Sequence, residues 1–239
     1  MARKKGGGGG RQRARQRAQY DELDKYPVMP PHAFARIVRD KQTLNIIYQI
    51  IEPPLTKKEQ EQRDEIMDIF IRSLTANIEE IDSNPEAYVR TAMDKVIKSY
   101  SMKINKKSKS KLFYYLRRDL IGYGKMDVLM NDVNVEDISL DGTNVPIFAY
   151  HRKFESVETT CVWATDEELE SYVIKLAQRC GKHISVAEPL LDATLMDGSR
   201  IVMKLGHEIS TRGSAFCIRR FKDDPFSPPT SWPSEPCPR

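Results

Sequence analysis

Four arginines, Arg200, Arg212, Arg219 and Arg220, fall within the stretch Gly181–Phe221, GKHISVAEPLLDATLMDGSRIVMKLGHEISTRGSAFCIRRF. A guanidinium is permanently charged and offers its N–H donors as a planar fork, so clustered arginines suit a phosphate or a carboxylate. Two runs, Arg200–Leu205 and Ser214–Phe221, alternate apolar with polar residues and read as antiparallel strands joined by Gly206–Gly213. One register matches Ile201 with Ile218 and Met203 with Phe216, and sets Arg200 opposite Arg219 on the other face. Like charges facing across a ladder destabilise it unless something neutralises them. A bound phosphate would do so. Solvent, with ion pairs to Glu188, Asp192 or Asp197, would also serve, and spacing alone leaves both open. Arg212 falls in the connecting loop at the far end, and Arg220 on the opposite face. The tight Asp197-Gly198 turn sets Leu195 opposite Arg200.

The elements that must position these residues describe an α+β chain. Phe34–Val38 and Leu44–Ile51 are apolar bursts separated by Asp40-Lys41-Gln42 and read as a hairpin. Thr56 and Glu59 form a capping box that opens a helix to about Ile81, with Ile66, Ile69, Phe70, Leu74, Ile78 and Ile81 at helical spacing. Asn84-Pro85 starts a second helix, and Leu112–Ile121 is helical again after a lysine-rich segment, 101–111, read as a solvated helix end or loop. From Lys125 a short helical turn leads to strands at Val135–Leu140, Val145–Tyr150 and Ser156–Trp163. Thr165 with Glu168 then caps a helix whose face carries Leu169, Val173, Leu176 and Ala177, and Gly181 closes it. The expected organisation is a disordered basic tail over 1–19 and a hairpin and helical region over 20–118. A mostly antiparallel sheet with a packed helix over 119–226 and a proline-rich end over 227–239 complete it.

Composition narrows the function classes. The formal net charge is +4, but seven of the 38 basic residues lie in the first nineteen positions, which hold no acid. The other 31 basic residues face 34 acidic ones, so the body is close to neutral and no specific nucleic-acid partner is expected. The tail could instead touch anionic lipid. No apolar run approaches the ~20 residues of a membrane span. Cys161, Cys180, Cys217 and Cys237 lack paired spacing and read as reduced thiols of a cytoplasmic protein. His207-Glu208 lacks the second histidine of a metal helix, and no metal site is expected. Gly122-Tyr123-Gly124 lacks the third glycine of a dinucleotide fingerprint and follows a helix.

The segments LIGYGKMDVLMNDVNVEDISLDG (120–142), VPIFAYHRKFESVET (145–159), VIKLAQRCGKHISVAEPLLDATLMDGSRI (173–201) and TRGSAFCIRRFKDDPFSP (211–228) follow one another in family order. Together they resemble the N-terminal domain of type II/type IV secretion ATPases, most closely the archaeal branch that powers secretion, pilus and archaellum assembly. The resemblance implies a hexameric ATPase of two-domain subunits, using ATP and Mg2+ and working on a membrane platform protein at the cytoplasmic side of the membrane. In that family the N-terminal domain leans over nucleotide held by a RecA-like domain and supplies arginines to its phosphates. The matching residues are Arg200 in DGSR and Arg219 in IRRF, with Arg212 in TRGS typical of the archaeal branch.

The departure from the family lies in its catalytic half. Gly124-Lys125 and Gly181-Lys182 are followed by Met126 and His183 and lack the upstream glycine, so the 239 residues contain no GxxxxGK[ST] cradle for phosphates. The expectation is a truncated or frame-interrupted product, or a deliberate fragment, inactive by itself. The competing expectations are a stand-alone scaffold domain docking on a membrane assembly platform and a basic-tailed nucleic-acid binder.

Overall fold

Residues 19–73, 84–207 and 211–221 are described in the computed structural model. The strands are β1 (Tyr20–Met29), β2 (Ala33–Asp40), β3 (Ile46–Ile51), β4 (Val135–Leu140), β5 (Pro146–His151), β6 (Glu155–Val162), β7 (Leu190–Thr194), β8 (Arg200–Lys204) and β9 (Ala215–Arg219). The main helices are α1 (Lys57–Ser73), α2 (Pro85–Ser99), α3 (Lys106–Leu120), the short α4 (Asp127–Asn131) and α5 (Asp166–Arg179). The chain is α+β. Its strands form one nine-stranded sheet in the order β1-β2-β3-β6-β5-β4-β9-β8-β7, antiparallel throughout except at β3–β6. That parallel seam, Ile47 with Glu158 and Tyr48 with Thr159, joins the early hairpin to the later strands. The basic residues 1–18, the expected helix end through Leu74, Ile78 and Ile81, and the proline-rich end with Cys237 lie outside the described residues.

The alternation read from the sequence does the folding work. Val157, Thr159, Cys161 and Trp163 all turn inward, and α5 lays Leu169, Val173, Leu176 and Ala177 onto the same core. Trp163, Tyr172 and Phe216 pack ring against ring beneath the strands, with Trp163 and Phe216 edge to face. α1, α2 and α3 bury Ile66, Phe70, Met93, Val96, Leu112 and Leu116 in a cluster of their own. The capping box is reciprocal: the Thr56 N–H donates to Glu59 Oε2 at 2.8 Å, and the Glu59 N–H donates to Thr56 Oγ1. The lysine-rich segment differs from its expected form. Asn105 accepts from the Ser108 N–H at 2.7 Å and starts α3 at Lys106, a full turn and more before the apolar spacing begins at Leu112. β1 has no counterpart in the sequence reading. Two register shifts, at Glu22/Asp24 and Pro27/Met29, break its period of two. At the opposite edge β7 is short, and the Lys182 ammonium donates to the Asp192 carbonyl at 2.8 Å.

A buried polar group locks the sheet to the α4–β4 connection. Asp132 Oδ2 accepts from the Tyr26 hydroxyl (2.6 Å, β1) and from the fully buried Tyr48 hydroxyl (2.7 Å, β3). Its Oδ1 accepts from the Asn134 N–H at 2.9 Å. His151 Nδ1 accepts from the Lys153 N–H, which leaves the hydrogen on Nε2 to donate to Tyr26 at 3.0 Å. Burial holds His151 below the usual imidazole range and, with Asp132, raises both phenols well above theirs. Among the described residues no helix is long and apolar enough to cross a membrane.

Two predictions follow from these anchors. Asp132→Ala leaves two phenols without their acceptor, each costing about 1–3 kcal/mol, so urea denaturation should show unfolding free energy lower by roughly 2–6 kcal/mol. A variant as stable as the parent would remove Asp132 from this role. Glu59 is held down to about 2 from its ordinary 4.5, first by the Ser108 hydroxyl and then by the Thr56 N–H. The unfolded chain therefore takes up a proton near 4.5 that the folded chain refuses, so this stabilisation is complete above that pH and lost as pH falls toward 2. Glu59→Gln should flatten the pH dependence of the melting temperature in that window, and an unchanged slope would contradict the assignment.

Candidate functional site: an arginine row on an open sheet face

The register between β8 and β9 pairs Arg200 with Arg219, Ile201 with Ile218 and Met203 with Phe216, as the apolar matching requires. Those four apolar side chains are buried, so the pleat sends both arginines to the open face. The row continues on either side: β4 sets Asp137 opposite Arg219, and β7 sets Thr194 opposite Arg200. Thr194, rather than Leu195, stands opposite Arg200. The hairpin closes with the Leu195 N–H donating to the Ser199 carbonyl at 2.8 Å, which leaves a three-residue loop, Met196-Asp197-Gly198. Gly198 takes φ +83°, and the one-residue shift turns Leu195 into the core.

The like-charged pair is flanked by carboxylates. Arg219 Nε donates to Asp137 Oδ1 at 3.1 Å, and Arg200 Nη2 donates to Asp192 Oδ2 at 3.0 Å. Asp192 is one of the partners the sequence offered for Arg200; Asp137 is not. Both guanidiniums stay open to solvent, their side chains 71% exposed for Arg200 and 81% for Arg219. Exposed pairs of this kind contribute at most about 1 kcal/mol, so they yield readily to a stronger acceptor.

A hollow of about 510 Å³ lies beside the row, lined by Glu136, Asp137, Gly198, Arg200, Arg219, Arg220 and Phe221. Phe221 forms its rim over Gly198, where an added Cβ would stand 3.3 Å from the ring, and the Phe221 N–H donates to Ser199 Oγ. Arg220 reaches this hollow from the opposite side of the strand. Its Nη1 donates to the carbonyls of Asp132 and Val135, the latter at 2.9 Å, while its buried Nε has no partner. Burial pushes its guanidinium below the ordinary value.

Arg212 stands apart. The β8–β9 loop carries it to the far end of both strands, where it lines a second hollow with Thr143, Asp166 and His207. Asp166 accepts from the Thr143 hydroxyl and lies 3.3 Å from His207 Nε2, and these bonds hold its carboxyl below the usual range. Gly142, with φ +121°, lies so close to the Arg212 carbonyl that a Cβ there would sit 2.3 Å from it. The structure thus brings Arg200, Arg219 and Arg220 together and leaves Arg212 elsewhere.

The arginine row can bind a polyanion through guanidinium forks. Among the described residues no group of three or more His, Cys, Asp or Glu could hold a metal, and Cys161, Cys180 and Cys217 are free thiols. Asp137 is the site residue that sequence reasoning did not reach, while Arg220 was named there but set on the opposite face, apart from the pair. An acidic pair, Glu136-Asp137, in a strand whose inward positions are Val135, Ile138 and Leu140 was the signal available for Asp137.

No family model matches the chain. It is 41% identical over 164 residues to the uncharacterized protein MJ1288 of Methanocaldococcus jannaschii, covering 68% of this chain and 65% of that protein. It is 30% identical over 207 residues to the uncharacterized protein MJ0900 of the same organism, covering 85% of this chain and 36% of that one. The chain thus spans less than two thirds of the length of either relative. Among solved structures it is similar to the VirB11 ATPase of the Brucella suis type IV secretion system, crystallised with sulphate. That similarity has 16% identity and a TM-score of 0.37, over 48% of this chain and 32% of that one.

Proposed function

We propose that Arg200 and Arg219 receive the phosphates of a nucleotide held by a RecA-like ATPase domain outside these 239 residues. The observation that carries the reading is their direct opposition across β8 and β9, with both side chains on the open face. The resemblance of residues 120–228 to secretion ATPases supplies the context. On this reading the chain is the arginine-supplying, oligomer-forming part of a hexameric ATPase for secretion, pilus or archaellum assembly. It works at the cytoplasmic side of the membrane with a membrane platform protein. ATP and Mg2+ belong to the catalytic half. These residues fit the polyphosphate and assign no role to the metal, since the carboxylates of the hollow, Asp137 and Glu136, are paired with Arg219 and Arg152. Without a phosphate cradle, the chain alone turns over no ATP. Arg212 has a lesser claim, because its loop lies at the other end of the strands.

Two measurements test the reading. Calorimetric titration of the full chain with pyrophosphate should show weak, salt-sensitive binding that Arg200→Ala with Arg219→Ala abolishes. Asp137→Asn should tighten it severalfold, because the carboxylate that competes for Arg219 is gone. Identical affinities in all three proteins would remove the phosphate role. Joined to the RecA-like half of a secretion ATPase, the chain should support ATP turnover that Arg200→Ala lowers by about 10³-fold without altering the melting temperature. Unchanged turnover would sink the arginine assignment.

A further inference from the structure

We propose that the lysine-rich end of the three-helix cluster is a docking surface for an anionic lipid bilayer. The start of α1, the end of α2 and the start of α3 meet there. Glu59 near the start of α1 accepts from Ser108 Oγ of α3 at 2.6 Å, and Asp94 of α2 meets Lys109 of α3 at 2.6 Å. Lys58, Lys95, Lys98, Lys103, Lys106 and Lys107 gather at this end, all exposed and, among the described residues, without an ion pair. Its carboxylates are largely committed. Glu59 is buried and also faces Lys111, and Asp94 holds Lys109; Glu61, in the second turn of α1, is uncommitted.

The placement works against local stability. Lys106 and Lys107 open α3, whose first turn has no acidic residue, so positive charge stands at the positive end of the helix dipole. Glu59 and Asp94, reaching α3 from the neighbouring helices, offset part of that charge at Ser108, Lys109 and Lys111, and the exposed lysines are left without compensation. A planar, polyanionic surface supplies that compensation to all the lysines together and asks for no fixed geometry. The composition separates this surface from a nucleic-acid or acidic-peptide site. Among the described residues the arginines of these helices nearest this end are engaged elsewhere: Arg63 meets Asp64, Arg90 covers the Phe113 ring, Arg117 meets Glu86, and Arg118 grips Glu52. Tyr100, 58% exposed at the α2–α3 connection, is the side-chain type that settles at a membrane interface.

The test is sedimentation of the full chain with vesicles of phosphatidylcholine and phosphatidylserine, mixed roughly three to one, at near-physiological salt. Two variants of equal net charge are compared: Lys98, Lys103, Lys106 and Lys107 changed to Gln, and Lys25, Lys41, Lys153 and Lys204 changed to Gln. All eight side chains are exposed, and equal melting temperatures check that both variants fold. Each lysine near an anionic surface changes affinity about fivefold. The helix-end variant should therefore lose at least about tenfold, while the sheet variant binds like the parent and pure phosphatidylcholine vesicles bind neither. Equal losses would assign the binding to general charge. No loss in either variant would assign it to the basic residues 1–18. A duplex RNA or polyglutamate that binds the helix end more tightly than the vesicles do would identify a different partner. Each of these three results overturns the proposal.

Discussion

Asp132 is the group through which the separated parts of the chain are held in one arrangement. A carboxylate with 1% of its surface exposed must have donors, and those donors come from β1 and β3 through Tyr26 and Tyr48. Its backbone carbonyl accepts from Arg220, which follows β9. The residue therefore ties the first strands of the chain, the α4–β4 turn and the last described strand to one point. Such a network is strong only when complete, because each orphaned member in a low-dielectric setting carries a desolvation cost. The position of Arg220 beside the arginine row is thereby fixed by a group deep in the sheet.

Elements whose partners lie nearby in sequence were legible. The β8–β9 register followed from matching Ile201 to Ile218 and Met203 to Phe216, since a one-residue slip would have turned every apolar side chain outward. The two capping boxes and Gly181 marked helix ends for equally local reasons: Thr56, Thr165 and the left-handed turn act within a few residues. The Asp197-Gly198 turn misled by one residue, because loop length is decided by whether Leu195 reaches the core, which the turn residues do not encode. β1 was unreadable because its bulges erase the alternation. Asp137 was missed because its partner Arg219 is paired through the β4–β9 ladder, and nothing local announces which distant strand will lie alongside.

The open sheet face balances two demands. Sheet pairing forces Arg200 and Arg219 together, and the chain supplies a carboxylate at each flank instead of replacing either arginine. Asp137 and Asp192 make the row stable without a ligand, yet both pairs remain in solvent, where their hold is weak. Arg220 is different in kind, since its Nη1 donates to two backbone carbonyls and its position does not depend on any surface ion. The hollow therefore has one fixed cationic wall and two movable arms.

At the β7 edge, a terminal strand exposes backbone donors and acceptors that could template further pairing. The Lys182 ammonium already occupies the Asp192 carbonyl, so a strand arriving there must first displace a charged donor. This discourages growth of the sheet into a filament of copies. It leaves the flat face, with Arg200 and Arg219 in solvent, more open than the rim at this end of the sheet.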